Sequence, residues 1–247
     1  HGTDIPGPKG IMKNSVIAIM LLLILSGCTS QSYRSHPDIE AKIKYIRNPA
    51  LIVPDIQVVS VSAGGVREVR DDWCAIGQDN IMAALQSEFS QKKCRTKAYL
   101  QQEDLQTEME DIKALYRAVA SSISLHVFGP YGFPDKQKNF NYSIGSLENI
   151  LRAMDANALI LVTGYDEFQT TERKAIQAAA DVAGALTGVI VLPSSGRSFV
   201  DIVFIDRGGT ILWNGRYQSQ STFDIRDPER VKSLLKHILK DFPRLEE

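Results

Sequence analysis

Ten consecutive apolar residues, Val16 to Leu25, bound what the rest of this chain can be. A helix needs roughly 20 such residues to span a bilayer, so the run is too short to persist as a transmembrane segment. It has instead the length of the hydrophobic core of a secretory signal peptide. A basic start, Met12-Lys13-Asn14-Ser15, precedes it, and the small residues Ser26 and Gly27 come after it, as a signal peptidase pocket requires. His1 to Ile11, rich in glycine and proline, stands before this complete signal. It is expected to be a non-native or upstream leader outside the fold. Residues 12–27 are then the signal peptide, and folding begins beyond them.

The run ends in Leu25-Ser26-Gly27-Cys28, which closely resembles the lipobox of bacterial lipoproteins. The resemblance implies that the Cys28 thiol receives a diacylglycerol and that cleavage makes Cys28 the first mature residue. Each buried methylene is worth about 0.8 kcal/mol, so two or three acyl chains anchor stably where one does not. Thr29-Ser30 comes after the cysteine in place of the aspartate associated with inner-membrane retention. The resemblance therefore implies the periplasmic side of an outer membrane, with the membrane itself as the first partner. Thr29 to Pro37 is polar and aperiodic, so residues 28–37 are expected to be a flexible tether.

That compartment is oxidising, and Cys74 and Cys94 form an even pair there, which points to a disulfide. Gln78 to Gln91 between them reads as a helix, with Ile81, Met82, Leu85 and Phe89 on one face. About 14 helical residues span roughly 21 Å, whereas bridged Cα atoms lie within about 7 Å. A bond requires Asp71 to Cys74 to run back along the helix. The disulfide and two separate buried thiols both stay open.

From residue 38 on, the pattern is that of one globular domain over 38–247. The composition, 44% hydrophobic and 23% charged, is ordinary for such a domain. The formal net charge of −1 leaves no basic footprint for nucleic acid. Asp38 to Arg47 reads as a short helix, and Pro49 and Pro54 break the stretch beyond it. Ile56 to Ala63 is a strand by its β-branched content, and Arg95 to Leu100 a second. Glu103 to Val127 carries an apolar stripe, Leu105, Met109, Ile112, Leu115, Val119 and Ile123, at helical spacing. Ser146 is placed to cap a helix over Leu147 to Asn157, and Ala158 to Thr163 is a buried strand. Phe199 to Ile205 and Thr210 to Tyr217 flank Asp206-Arg207-Gly208-Gly209 as a β-hairpin. Asp227 and Pro228 open a last helix with Val231, Leu234, Leu235, Ile238 and Leu239 on one face. This order is that of a single layered α/β domain, a mixed β-sheet with packed helices.

Two segments stand apart. Gly129 to Gly145 is a loop holding Tyr131, Phe133, Phe140 and Tyr142, with Phe128 just before it. Exposed, these aromatics suit a partner or ligand interface; tucked in, they form a satellite core. Ala175 to Leu192 is rich in alanine and glycine. It reads as a small-residue helix packed closely on a neighbour or as a mobile insertion, with a membrane-touching segment as the other reading.

No chemistry-bearing motif emerges. The histidines have no His or Cys at zinc spacing, so no metal site is expected. There is no phosphate-binding glycine loop and no nucleophile elbow. Ser90-Gln91-Lys92-Lys93 and Ser233-Leu234-Leu235-Lys236 match S-x-x-K without its companion motifs. Asp166-Glu167 is the one acidic pair worth inspecting, and it reads as solvated charge at a strand end. No catalytic residue and no cofactor are assigned, and no enzymatic activity is expected.

Ser198 to Arg216, SFVDIVFIDRGGTILWNGR, resembles the hairpin of periplasmic lipoproteins related to the curli-secretion CsgG, Pel-export PelC and TolB amino-terminal-domain group. The resemblance extends over roughly Asp155 to Pro243. It implies an α/β assembly unit, oligomeric or bound to envelope proteins, and no enzyme. The leading expectation is a lipid-anchored scaffold or accessory subunit in envelope assembly or export. The alternative is a periplasmic small-ligand or glycan binding module walled by the aromatic loop.

Overall fold

The computed structural model describes residues 29–92, 94, 96–99, 105–129, 132–187 and 196–243. Cys28, Tyr131 and the part of the Ala/Gly-rich segment beyond Thr187 lie outside the described residues. In chain order the elements are β1 (Thr29–Ser35), α1 (Ile39–Lys42), β2 (Pro49–Ile52), β3 (Asp55–Val61), β4 (Arg67–Val69) and α2 (Asp71–Gln91). Next come β5 (Lys97–Tyr99), α3 (Gln106–Ile123), α4 (Pro134–Lys138), α5 (Glu148–Ala153) and β6 (Ala158–Gln169). The chain closes with α6 (Thr171–Thr187), β7 (Ser198–Asp206), β8 (Ile211–Ser219) and α7 (Pro228–Ile238).

The expected mixed sheet with packed helices is what forms. β6 organises it, because its twelve residues are long enough to take two partners end to end on one side. β2 pairs in parallel with its first half, and β3 in parallel with its second. The registers Leu51↔Ile160 and Asp55↔Thr163 leave residues 52–54 opposite 161–162. The one extra residue falls in the break between β2 and β3, and Pro54, which has no N–H to give a ladder, sits there. On the other side run β7, β8 and β1, all antiparallel to their neighbours. β5 flanks β2 and β4 flanks β3.

Side chains alternate across each strand, so the apolar runs of β6 and β7 feed two separate cores. Ile160, Val162, Ile202 and Phe204 pack with Ile81, Leu85 and Phe89 of α2 and Val231 and Leu235 of α7. Leu159, Leu161, Val203 and Ile205 pack with Ile112, Tyr116 and Ile123 of α3 and Ile150 and Leu151 of α5. The sheet is thereby the middle layer of three. The last helix begins as expected: Asp227 accepts hydrogen bonds from the N–H groups of Glu229 and Arg230, and Pro228 is the first helical residue. The hairpin turn also forms, with Asp206 Oδ1 accepting from Thr210 N at 2.8 Å and Gly209 at φ +83°.

Several expectations are corrected. Thr29–Ser35, assigned to the tether, pairs along its whole length with β8 as an edge strand. Its polar residues do not forbid this, because an edge ladder is made by backbone groups and one side faces solvent. α2 starts at Asp71, seven residues before the expected Gln78. Pro49–Ile52, read as a break, is a fully buried strand. In α3 the stripe turns by one position: Tyr116 is buried and Leu115 exposed.

Candidate binding groove

α3 and α5 cover only part of the sheet face they pack on. Along β6 that face carries Leu159 and Leu161 beneath the helices, then Thr163 and Tyr165 beyond them. The uncovered part is the floor of a groove of about 1030 Å³. Its floor includes Gln57, Tyr165, Phe199, Asp201 and Arg216, and its helical wall runs from Tyr116 and Arg117 to Phe128.

Two ion pairs set its electrostatics. Asp201 and Arg216 are register partners on β7 and β8. Arg216 donates Nε–H to Asp201 Oδ1 and Nη2–H to Oδ2, each at 2.7 Å, and Nη1–H to Ser124 Oγ at 2.9 Å. Both side chains are buried. Burial pulls the Arg216 pKa down, but the hydrogen bonds and charge of Asp201 outweigh it and hold it above the ordinary value. Tyr116, buried below, has its hydroxyl pushed well up, by burial first and by the Asp201 charge second. The Arg216 guanidinium also lies 5.1 Å from the centre of the Phe128 ring, and Arg34 lies 5.3 Å from the same ring. At the rim Arg117 reaches Asp55 at 3.0 Å. Arg197 is exposed at the opposite rim and carries no ion pair among the described residues. Tyr165 and Phe199, register partners on β6 and β7, lie with rings 6.0 Å apart and 10° from parallel.

The aromatic residues expected to line one site are distributed. Phe128 reaches the groove. Phe140 is buried and Tyr142 packs beside it in the α3-side core, their rings 5.3 Å apart. Phe133 is exposed and stacks on His126 at 4.6 Å. Beside Phe128, the groove takes its aromatic character from Tyr165 and Phe199.

Cys74 and Cys94 are free thiols. Cys74 lies in the first turn of α2 rather than on a returning strand, so about 25 Å of helix separates it from Gln91. The Cys94 thiol is buried, and burial pushes its pKa up to about 12.

Asp166 and Glu167 are not solvated. They are consecutive strand residues, so their side chains leave opposite faces of the sheet and cannot act on one substrate atom. Asp166 is buried and accepts from Phe223 N at 3.1 Å and Ile225 N at 2.9 Å. Burial pushes its carboxyl up to about 6 against the pull of these backbone donors. Glu167 accepts from the Tyr165 hydroxyl at 3.0 Å and pairs with Arg67 at 3.3 Å. The strand therefore runs on to Gln169, well past Thr163. Asp201 and Arg216 are groove residues that the sequence patterns did not single out. Their signal was a charge placed between Val200 and Ile202 and another after Gly215, both within buried strands.

No protein-family model matches the chain, and no curated protein matches it. Among solved structures it is similar to the PelC dodecamer from Paraburkholderia phytofirmans, with TM-score 0.38, 10% identity, 89% of this chain and 100% of that chain covered. A point variant of that dodecamer in another crystal form gives TM-score 0.37 and 9% identity, over 86% of this chain and 96% of that one.

Proposed function

We propose that this chain is a lipid-anchored protein on the periplasmic face of the outer membrane. In this reading it is a non-enzymatic accessory subunit that holds an envelope assembly or export partner in the groove. The observation that carries the reading is the state of the groove's charges. Asp201 is committed to Arg216 and Asp55 to Arg117, which makes a preformed polar wall and leaves neither carboxylate poised as a general base. Aromatic and arginine side chains around such a wall are what partner-binding surfaces favour. The lipobox-like Leu25 to Cys28 supports the anchor.

The test is affinity purification of the acylated protein from native membranes, beside the Arg197→Glu variant. The reading expects a defined envelope partner with the parent protein and at least a tenfold loss in the variant, about 1.4 kcal/mol. A strictly monomeric protein with no partner, or equal recovery with both proteins, contradicts it.

A second reading, a small-ligand or glycan binding module, is favoured by the near-parallel Tyr165 and Phe199 rings in the groove. Titration calorimetry with soluble oligosaccharides separates the two. Saturable binding that Phe199→Ala abolishes, without change in protein partners, favours the module.

A further inference from the structure

Among the described residues, the most exposed aliphatic side chains are Leu186 (84%), Val66 (67%), Val182 (63%) and Ile176 (57%). All four belong to one end of the molecule. Ile176, Val182 and Leu186 are on α6. Val66 is in the turn after β3, where Arg173 of α6 donates to the Ser62 carbonyl at 3.3 Å. Of α6, Arg173, Gln177 and Ala180 are half-buried; at about 100° per residue they form one line. Val182 and Leu186 lie on the opposite line, pointing away from the body.

This is also the end at which the chain enters the fold. The register runs Thr29↔Ser219, Ser219↔Ser198 and Ser198↔Asp166 across the sheet. Thr29 is thus three strand spacings, about 14 Å, from β6. β6 runs three residues further to Gln169 and then leads into α6, while the chain returns to the same row at Ser198. Cys28 is one residue before Thr29. The opposite end of β6 is marked by Tyr45, whose carbonyl accepts from Asn157 Nδ2 just before Ala158.

We propose that α6 is a membrane-docking helix. Its outward face, with Val66, rests in the boundary between headgroups and acyl chains of the leaflet that holds the Cys28 anchor. The inference rests on the anchor reading above. No helix among the described residues is long and apolar enough to cross a membrane, so α6 lies on the surface. Three aliphatic side chains on an alanine-rich helix bind a bilayer weakly alone, and beside an anchor that its acyl chains already hold they orient the domain rather than retain it. Docking then fixes which way the groove faces, which an acyl chain alone leaves undetermined.

The test uses the full acylated protein with Leu186→Trp, reconstituted in phosphatidylethanolamine/phosphatidylglycerol vesicles with brominated acyl chains. The parent protein supplies the background from Trp73 and Trp213. Tyr45→Trp, at a site 80% exposed, is the control at the far end. The inference expects about twofold quenching of the indole introduced in L186W, from burial at the acyl boundary, and none in Y45W. An unquenched L186W indole, with the Cys28 peptide carrying its acyl mass, overturns the inference and leaves the anchor reading standing. An unquenched indole accompanied by a doubled particle mass assigns the face to a second copy and also overturns it. An unacylated Cys28 overturns the anchor reading and this inference together.

Discussion

Asp201 and Arg216 face each other across β7 and β8, joined by two 2.7 Å hydrogen bonds in a buried sheet face that opens into the groove. Removing one partner strands the other charge. Asp201→Leu or Arg216→Met is expected to cost about 3–5 kcal/mol. The double variant Asp201→Leu/Arg216→Met is expected to regain most of that loss, since both desolvation penalties disappear. Urea denaturation of the three proteins checks this, and a double variant as unstable as the sum of the singles contradicts it.

Asp166 gives the fold a pH dependence of definite sign. Its carboxyl stands at about 6 in the fold against 3.8 for the free group, so the native state holds the proton more tightly. The site therefore gains stability as pH falls from about 7 towards 4, by about 3 kcal/mol at most. Asp166→Asn removes that gain. The stability of the parent relative to the variant is expected to rise on acidification, and a difference independent of pH refutes the assignment.

The cysteines are expected to differ in reactivity. With its pKa at about 12, native Cys94 holds about a thousandfold less thiolate at pH 8 than an ordinary cysteine. Alkylation and then mass spectrometry should find Cys74 modified first and Cys94 only on unfolding. A Cys74–Cys94 linked peptide recovered without reduction contradicts this.

Gly209 sits at φ +83° in the hairpin turn, and its carbonyl accepts from Ile144 N at 2.9 Å. A Cβ there would collide with the Gly145 carbonyl. Gly209→Ala is expected to cost about 1–3 kcal/mol, read as a lowered Tm, whereas Gly64→Ala, in open space, changes it little.

Local chemistry specifies the elements that the residues alone reveal. α7 is legible because Asp227 and Pro228 mark its start and five apolar residues come next at helical spacing. The β7–β8 hairpin is legible because β-branched runs flank a glycine turn. β1 is not, because Thr29 to Ser35 carries no apolar alternation and is held by the β8 edge. The start of α2 is not, because Arg70 makes no side-chain cap. β2 is hidden by Pro49 and Pro54, which break a ladder in the abstract but here open one strand and separate it from the next. The groove is the least legible part. It depends on register, which sets Asp201 against Arg216, and on how much of the sheet face α3 and α5 leave uncovered.

If the groove is the surface that meets a partner, in-cell photo-cross-linking reads this directly. A photoreactive side chain at Gln218, exposed on the groove lining, is expected to capture one envelope protein. That capture should be lost when Arg197→Glu is added and should be absent from the same probe at Tyr45. No adduct from Gln218, or the same adduct from both positions, contradicts it.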